Sequence, residues 1–209
     1  GGTGSRVIKS LIMLLASGCK LPGGIDTVVP ILIDPDTSNG DLNRTKEILK
    51  LYQNIRSNIE KPENFFSQNV VTINELAQTE DTVINPEYFQ FSLSETDDNN
   101  FRDFIGFDSL DDDDKNFIRL LYSQQNLDAE LDVGFKGNPH VGSVVLDQFT
   151  ESEDFRRFAS VFNQGDSIFI ANSIFGGTGP AGFPLLLNTL RHNNGSIDNA
   201  ARIQNSRVG

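Results

Sequence analysis

Two glycine-rich segments carry the clearest chemistry in this chain. Gly176-Gly177-Thr178-Gly179 follows the apolar run Ser167–Phe175 and precedes Pro180, a residue favoured in the first turn of a helix because its missing N–H would be unpaired there anyway. Gly1-Gly2-Thr3-Gly4-Ser5 leads straight into a second amphipathic stretch. Glycine lets backbone N–H groups face an anion with no side chain between them, and a helix start adds roughly half a positive charge. Such a turn can hold a phosphate. Each motif alone reads equally well as a tight strand-to-helix connection. Two of them on neighbouring strands could cradle a nucleotide's phosphates at the carboxyl edge of a parallel sheet.

Carboxylates come next. Asp34 and Asp36 close the apolar run Thr27–Ile33, at the edge where acidic side chains meet a ribose or a magnesium ion through water. Asp36 is the candidate metal contact. The same Asp-Pro-Asp-Thr-Ser-Asn-Gly is rich in turn formers, and a helix cap explains it as well. Asp111–Asp114 reads as an acidic helix start in preference to a metal site. His140 lies in the turn cluster Gly137-Asn138-Pro139-His140-Val141-Gly142 without a nucleophile near it in sequence, so it reads as a capping or packing residue. His192 suits a helix C-terminus, and Cys19 reads as a small buried hydrophobe. No catalytic residue is identified.

These groups need a scaffold of alternating strands and helices. Ser167–Phe175 reads as a central strand buried on both faces, Thr27–Ile33 as a second, and Asn69–Ile73 as a short third. Residues 5–17 place Val7, Ile8, Leu11, Ile12, Leu14 and Leu15 on one stripe, and 42–61 carry Ile48, Tyr52, Ile55 and Ile59 at helical spacing. Phe117, Leu120 and Leu121 share a helix face, and further helices are expected around Val141–Phe149, Phe155–Phe162, after Pro180, and within 193–207. Val208-Gly209 looks like the start of a strand, and Gly1 stands in a loop that should follow one. The expected fold is α/β, a three-layer Rossmann-like domain with a mostly parallel sheet. The whole of 1–209 is read as one nucleotide-binding domain whose first strand and C-terminal domain lie outside it.

Composition sets limits on partners. A chain of 209 residues with 37% hydrophobic content is large enough for a sizeable core, and no apolar run reaches the ~18 residues of a membrane span. A net charge of −12 argues against nucleic acid or an anionic membrane. One cysteine cannot form an internal disulfide, and there is no cysteine or histidine cluster for zinc, so the cytoplasm is the expected compartment.

Taken in order, these motifs resemble the tubulin/FtsZ family. Gly1-Gly2-Thr3-Gly4-Ser5 resembles the family's first nucleotide loop, Ile33-Asp34-Pro35-Asp36 the second, and Gly137-Asn138-Pro139-x-x-Gly142 with a following helix the third. Asp166-Ser-Ile-Phe-Ile and then Gly176-Gly177-Thr178-Gly179 resemble the strand and signature loop GGGTGTG. The resemblance implies a tubulin/FtsZ GTPase-type domain that binds GTP or GDP with Mg2+, the glycines of the first and fourth loops on the phosphates and the second and third loops closing over ribose, magnesium and γ-phosphate. It implies self-association into filaments, and GTPase activity only with an acidic loop from a neighbouring subunit, which this sequence does not contain. The sequence departs from the family at Ser5, where FtsZ has Asn, at Phe175 in place of the first signature glycine, and at Pro180-Ala181 in place of Thr-Gly. Residues 60–130 form a long acidic insertion that the comparison leaves unassigned.

Two other functions fit parts of the pattern. An E1-like adenylating enzyme or a dinucleotide-binding Rossmann enzyme would use GGTGSRV with Asp34 and Asp36, but leaves the second glycine turn without a role and expects a better-placed cysteine. A non-hydrolysing scaffold on a tubulin-like fold would use neither loop for catalysis. Gly177→Val is expected to block a phosphate while sparing the fold.

Overall fold

The computed structural model describes residues 1–60, 62, 64–77, 89–91, 93, 99–193 and 197–209. The described residues form ten α-helices and four short strands: α1 Gly2–Ala16, β1 Thr27–Val28, α2 Gly40–Ser57, β2 Asn69–Val70, α3 Ile73–Ala77, α4 Phe101–Phe104, α5 Asp112–Leu121, α6 Gln124–Leu127, α7 Pro139–Asp147, α8 Glu153–Val161, β3 Ser167–Ile168, α9 Thr178–Arg191, α10 Ala200–Gln204 and β4 Arg207–Val208. The class is mixed α/β and rich in helix. β1 pairs with β2, and β3 with β4, both in parallel, and Leu32 adds a parallel bridge to Gln90.

Residues 27–33 separate two apolar cores. Side chains alternate across an extended segment. Val28 and Leu32 join the cluster built by Ile12 and Leu15 of α1 and Leu42, Leu49 and Tyr52 of α2. Val29, Ile31 and Ile33 pack against the other cluster, which holds Val141 and Val145 of α7, Phe155 and Ala159 of α8, and Ala181 and Leu190 of α9. Helices therefore cover both faces of this segment. The Tyr52 hydroxyl, carried inside, is satisfied by donating to Gln68 O at 2.9 Å.

Several sequence expectations are corrected here. The apolar run Ser167–Phe175 is not a strand buried on both faces: its ladder is two residues long, and Phe169, Ile174 and Phe175 are 71%, 75% and 84% exposed. The run has β4 on one side and, among the described residues, no strand on the other. The mostly parallel sheet is accordingly seen as two separate two-stranded pieces. Asn69–Ile73 shortens to β2, because Ile73 already starts α3. Within α1 Ile12 and Leu15 are buried and Ile8 and Leu11 pack partly buried beside them, while Val7 and Leu14 are exposed; α2 buries Leu42, Leu49 and Tyr52 with Ile48 packed against them, while Ile55 faces out.

Helix ends follow their local chemistry. Asp111 caps α5 by accepting from Asp114 N–H, which is the cap reading of the acidic run, yet Phe117, Leu120 and Leu121 are all exposed. α1 closes in a Schellman turn: Gly18 at φ +95° donates to Leu15 O, and Cys19 N–H to Leu14 O. That turn lifts Cys19 past the buried stripe, so it is exposed and not the buried hydrophobe expected. His140 stacks on Tyr122 with ring centroids 5.5 Å apart, and His192 pairs with Asn188 at the end of α9. Of the acidic 60–130 stretch, residues 61, 63, 78–88, 92 and 94–98 lie outside the described set, as do 194–196 in the expected C-terminal helix.

Candidate functional site

The starts of α1 and α9 line one cleft of about 210 Å³. Gly1, Gly2, Thr3 and Gly4 come from one side and Phe175, Gly176, Gly177, Thr178 and Gly179 from the other, with Asp34, Asp36, Asn39 and the 133–136 turn closing it. Glycine is required at these starts for reasons that differ by position. A Cβ on Gly4 would lie 2.6 Å from Ala171 O, and one on Gly179 2.1 Å from Ser173 O, so both helix starts press on the same extended segment. Gly176 sits at φ +116° with nothing within 4 Å of its missing side chain, on the open wall of the cleft.

Capping separates the long helices into two kinds. Among the described residues, α2, α5 and α8 begin with a side-chain cap from Asn39, Asp111 or Ser152, and each has acidic residues in its first turn. α1, α7 and α9 have no side-chain cap and no acid in the first turn. A Ser, Asp or Asn cap is worth about 1 kcal/mol. Here two starts without a side-chain cap face one cleft and bring their first-turn N–H donors side by side, with the Asp34 carboxylate the nearest negative charge to both. That combination attracts an anion.

Asp34 ties the cleft together from below. It is 3% exposed; Thr178 Oγ1 donates to its Oδ1 at 3.4 Å, Asn39 Nδ2 donates to its Oδ2 at 3.5 Å, and the Gly1 nitrogen lies 3.6 Å from that oxygen. Burial pushes its carboxyl above the usual value, opposed by the Gly1 amino group and the Asp36 N–H. Asp36 lines the cleft, but its Oδ1 accepts from Ser38 N–H at 3.0 Å and Ser38 Oγ at 2.7 Å, the bond pattern of an Asx turn. No group of three or more His, Cys, Asp or Glu suited to a metal occurs among the described residues. A magnesium ion here would rest on Asp36 through water and on phosphate oxygens, an arrangement Mg2+ commonly adopts.

Not every sequence candidate reaches the cleft. Ser5 is buried beneath it, its carbonyl accepting from Thr45 Oγ1 at 3.0 Å. Asn138 and Pro139 start α7 outside the lining, and Gly142 is buried where α7 meets α9, its missing Cβ 2.7 Å from the Phe135 ring and 2.8 Å from Ala181 Cβ. A Cβ on Gly177 would come within 2.5 Å of Phe135 Cβ, so Gly177→Val disturbs the fold as well as the cleft, contrary to the expectation above.

Other lining residues escaped the sequence reading. Asn39 had a legible signal, an Asn directly before the start of α2. Lys136 had none: it is exposed, stands at φ +44° between Gly134 and Gly137 at +76° and +81°, and is the one basic side chain among the described residues lining the cleft. A non-glycine residue held in the left-handed region costs on the order of 1 kcal/mol and concentrates at functional sites.

No helix among the described residues is long and apolar enough to cross a membrane. Comparison with protein-family models, with curated proteins and with solved structures finds no match to this chain.

Proposed function

We propose that this chain binds a nucleotide, GTP with magnesium, as the nucleotide-binding part of a tubulin/FtsZ-like protein. The observation that carries this reading is the meeting of two uncapped, acid-free helix starts in one cleft, in a chain whose net charge is −12. With 29 acidic residues available, the first turns of α1 and α9 hold none, although an acid there would stabilise each helix. An anionic ligand in the cleft gives that absence a physical reason.

In this reading the first-turn N–H groups of α1 and α9 hold the phosphates, with Gly176 allowing close approach and Lys136 adding a cation. Asp36 meets magnesium through water, and the ion neutralises phosphate charge when bound. Asp34 lines the floor of the cleft and joins the two helix starts through Thr178 and the Gly1 nitrogen. A cleft of about 210 Å³ is smaller than the roughly 300–1,000 Å³ of pockets that enclose a drug-sized ligand, so phosphates fit inside while ribose and base rest on the rim. The helices on both faces of residues 27–33 support a three-layer Rossmann-like domain. Filament formation and hydrolysis belong to a longer assembly, in the cytoplasm, in which a neighbour supplies the acidic loop. The chain alone is then a binder.

Thermal unfolding with GTP, GDP, ATP and NAD, each with magnesium, tests this. At 100 times Kd a ligand adds about 2.7 kcal/mol, or roughly 5–10 °C for a chain of this size. A shift with guanine nucleotides alone supports the proposal. A shift with ATP or NAD alone favours the adenylating or dinucleotide enzyme, and none favours the scaffold.

A further inference from the structure

Helix α5 turns an apolar face outward. Residues three and four apart are neighbours on a helix surface, so Phe117, Leu120 and Leu121 form one patch. They are 59%, 84% and 55% exposed, and none of them joins either apolar core. The opposite side of the helix holds α5 to the molecule. Ile118 packs against the larger core, the Tyr122 ring lies 4.9 Å from that of Phe101, and the Arg119 guanidinium lies 5.3 Å from the centre of the Phe107 ring. A surface helix ordinarily points its apolar stripe at the core and its polar face at water. Three large side chains of α5 break that rule together, which is the mark of an interaction surface.

The outer face is acidic where the helix begins. Asp113 and Asp114 stand four and three residues before Phe117, one turn along the same exposed face, and Asp112 is exposed beside them. Residues 108–114 hold five Asp and no basic residue. Among the described residues Asp112, Asp113 and Asp114 form no ion pair. Helix capping accounts for acids at this end. It does not account for the exposed apolar residues next to them.

This combination selects the occupant. A second copy of the chain fits poorly: Lys115 is half-buried on the inner side of α5 and Arg119 lies over Phe107, so two α5 helices laid antiparallel would set Asp113 and Asp114 against the uncharged Ser123–Gln125, in chains that each carry −12. An anionic membrane is repelled by the same carboxylates. A partner with its own cations beside an apolar stripe satisfies both halves of the surface.

We propose that the outer face of α5 docks a basic amphipathic helix from another protein. Apolar side chains of that helix at i, i+3 and i+4 pack over Phe117, Leu120 and Leu121, and Lys or Arg in its last turn meet Asp113 and Asp114. The two helices run antiparallel. That direction brings the partner's C-terminal turn to the start of α5, where its basic residues also complement its own dipole. No residue of α5 lines the nucleotide cleft, so this surface stands apart from the nucleotide reading.

Fluorescence anisotropy of a labelled peptide, Ser-Ala-Glu-Leu-Ala-Gln-Leu-Leu-Gln-Lys-Leu-Lys-Arg-Lys, titrated with the 209-residue chain tests this. Binding is expected with Kd of about 1–100 μM at low salt, weakening about fivefold or more between roughly 0.05 and 0.5 M salt. Leu120→Ser combined with Leu121→Ser should weaken it about tenfold or more and leave Tm within about 2 °C, because both side chains are exposed. Asp113→Asn combined with Asp114→Asn should weaken it about fivefold and flatten the salt dependence. The same peptide with Glu in place of every Lys and Arg should not bind. No binding at millimolar concentration, equal binding by the serine variant, or equal binding of the Glu peptide overturns the proposal. So does sedimentation showing a dimer of the chain, or flotation with phosphatidylcholine vesicles, that the serine variant abolishes, since either gives the face to a different occupant.

Discussion

Thr3→Glu separates binding from folding at the cleft. Thr3 is exposed in the first turn of α1, lines the cleft, and makes no side-chain hydrogen bond among the described residues. A carboxylate there complements a helix start without a side-chain cap, worth about 0.3–1 kcal/mol, while Arg6, three residues on, is already paired with Asp41 at 3.0 Å and adds little. Unfolding should therefore move up by about 1–5 °C. The same carboxylate would stand roughly 6 Å from a bound phosphate, where each pair of like charges costs about 0.7–3 kcal/mol between watery and surface-like screening. Affinity for Mg-GTP is expected to fall at least about tenfold. Isothermal titration at fixed salt and a melting curve on the same sample read both effects. A variant that is more stable and binds GTP within twofold of the parent would refute an anion site at the start of α1.

Three further outcomes follow from the packing and charge of the site. Gly142→Ala pushes a methyl group into the Phe135 ring and Ala181, and is expected to cost about 1–3 kcal/mol, read as a fall in Tm of several degrees. Lys136→Gly suits a backbone at φ +44° and removes the cleft's basic side chain, so denaturant stability should hold within about 0.5 kcal/mol while GTP affinity drops about fivefold; unchanged affinity would remove Lys136 from the site. Burial raises the Asp34 carboxyl above 3.8, so the folded chain takes up that proton before the unfolded chain does. Unfolding free energy should then fall as pH rises from 3.8 through the raised value and stay level above it; Asp34→Asn should remove that slope, and a variant with the parent's slope contradicts the assignment.

Helix positions were legible where local chemistry was strong. Asp111 capping α5, Pro139 at the first turn of α7 and the glycine segments that begin α1 and α9 all state their roles in a few adjacent residues, although Gly2–Gly4 form the first turn of α1 itself and not a loop before it. Strands were harder, because a buried strand is defined by its neighbours. The run from Ser167 to Phe175 has the composition of a central strand, yet its ladder ends at residue 170 for want of a partner on one side. In the site, the convergence of the two glycine turns was expected from sequence. The use of each glycine was not: Gly142 and Gly177 are needed for contacts with Phe135, seven and forty-two positions away, and sequence spacing carries no sign of that. Lys136 was missed for the same reason, since its left-handed backbone is set by the turn around it.

The meeting of two helix starts on one ligand is tested most directly by following their amides. Titration of the isotopically labelled chain with Mg-GTP should move the N–H resonances of Gly2, Thr3 and Gly4 together with those of Gly176, Gly177, Thr178 and Gly179, along curves that fit a single Kd. Resonances of one turn moving while the other stays fixed, or neither moving at millimolar GTP, would contradict a shared phosphate site.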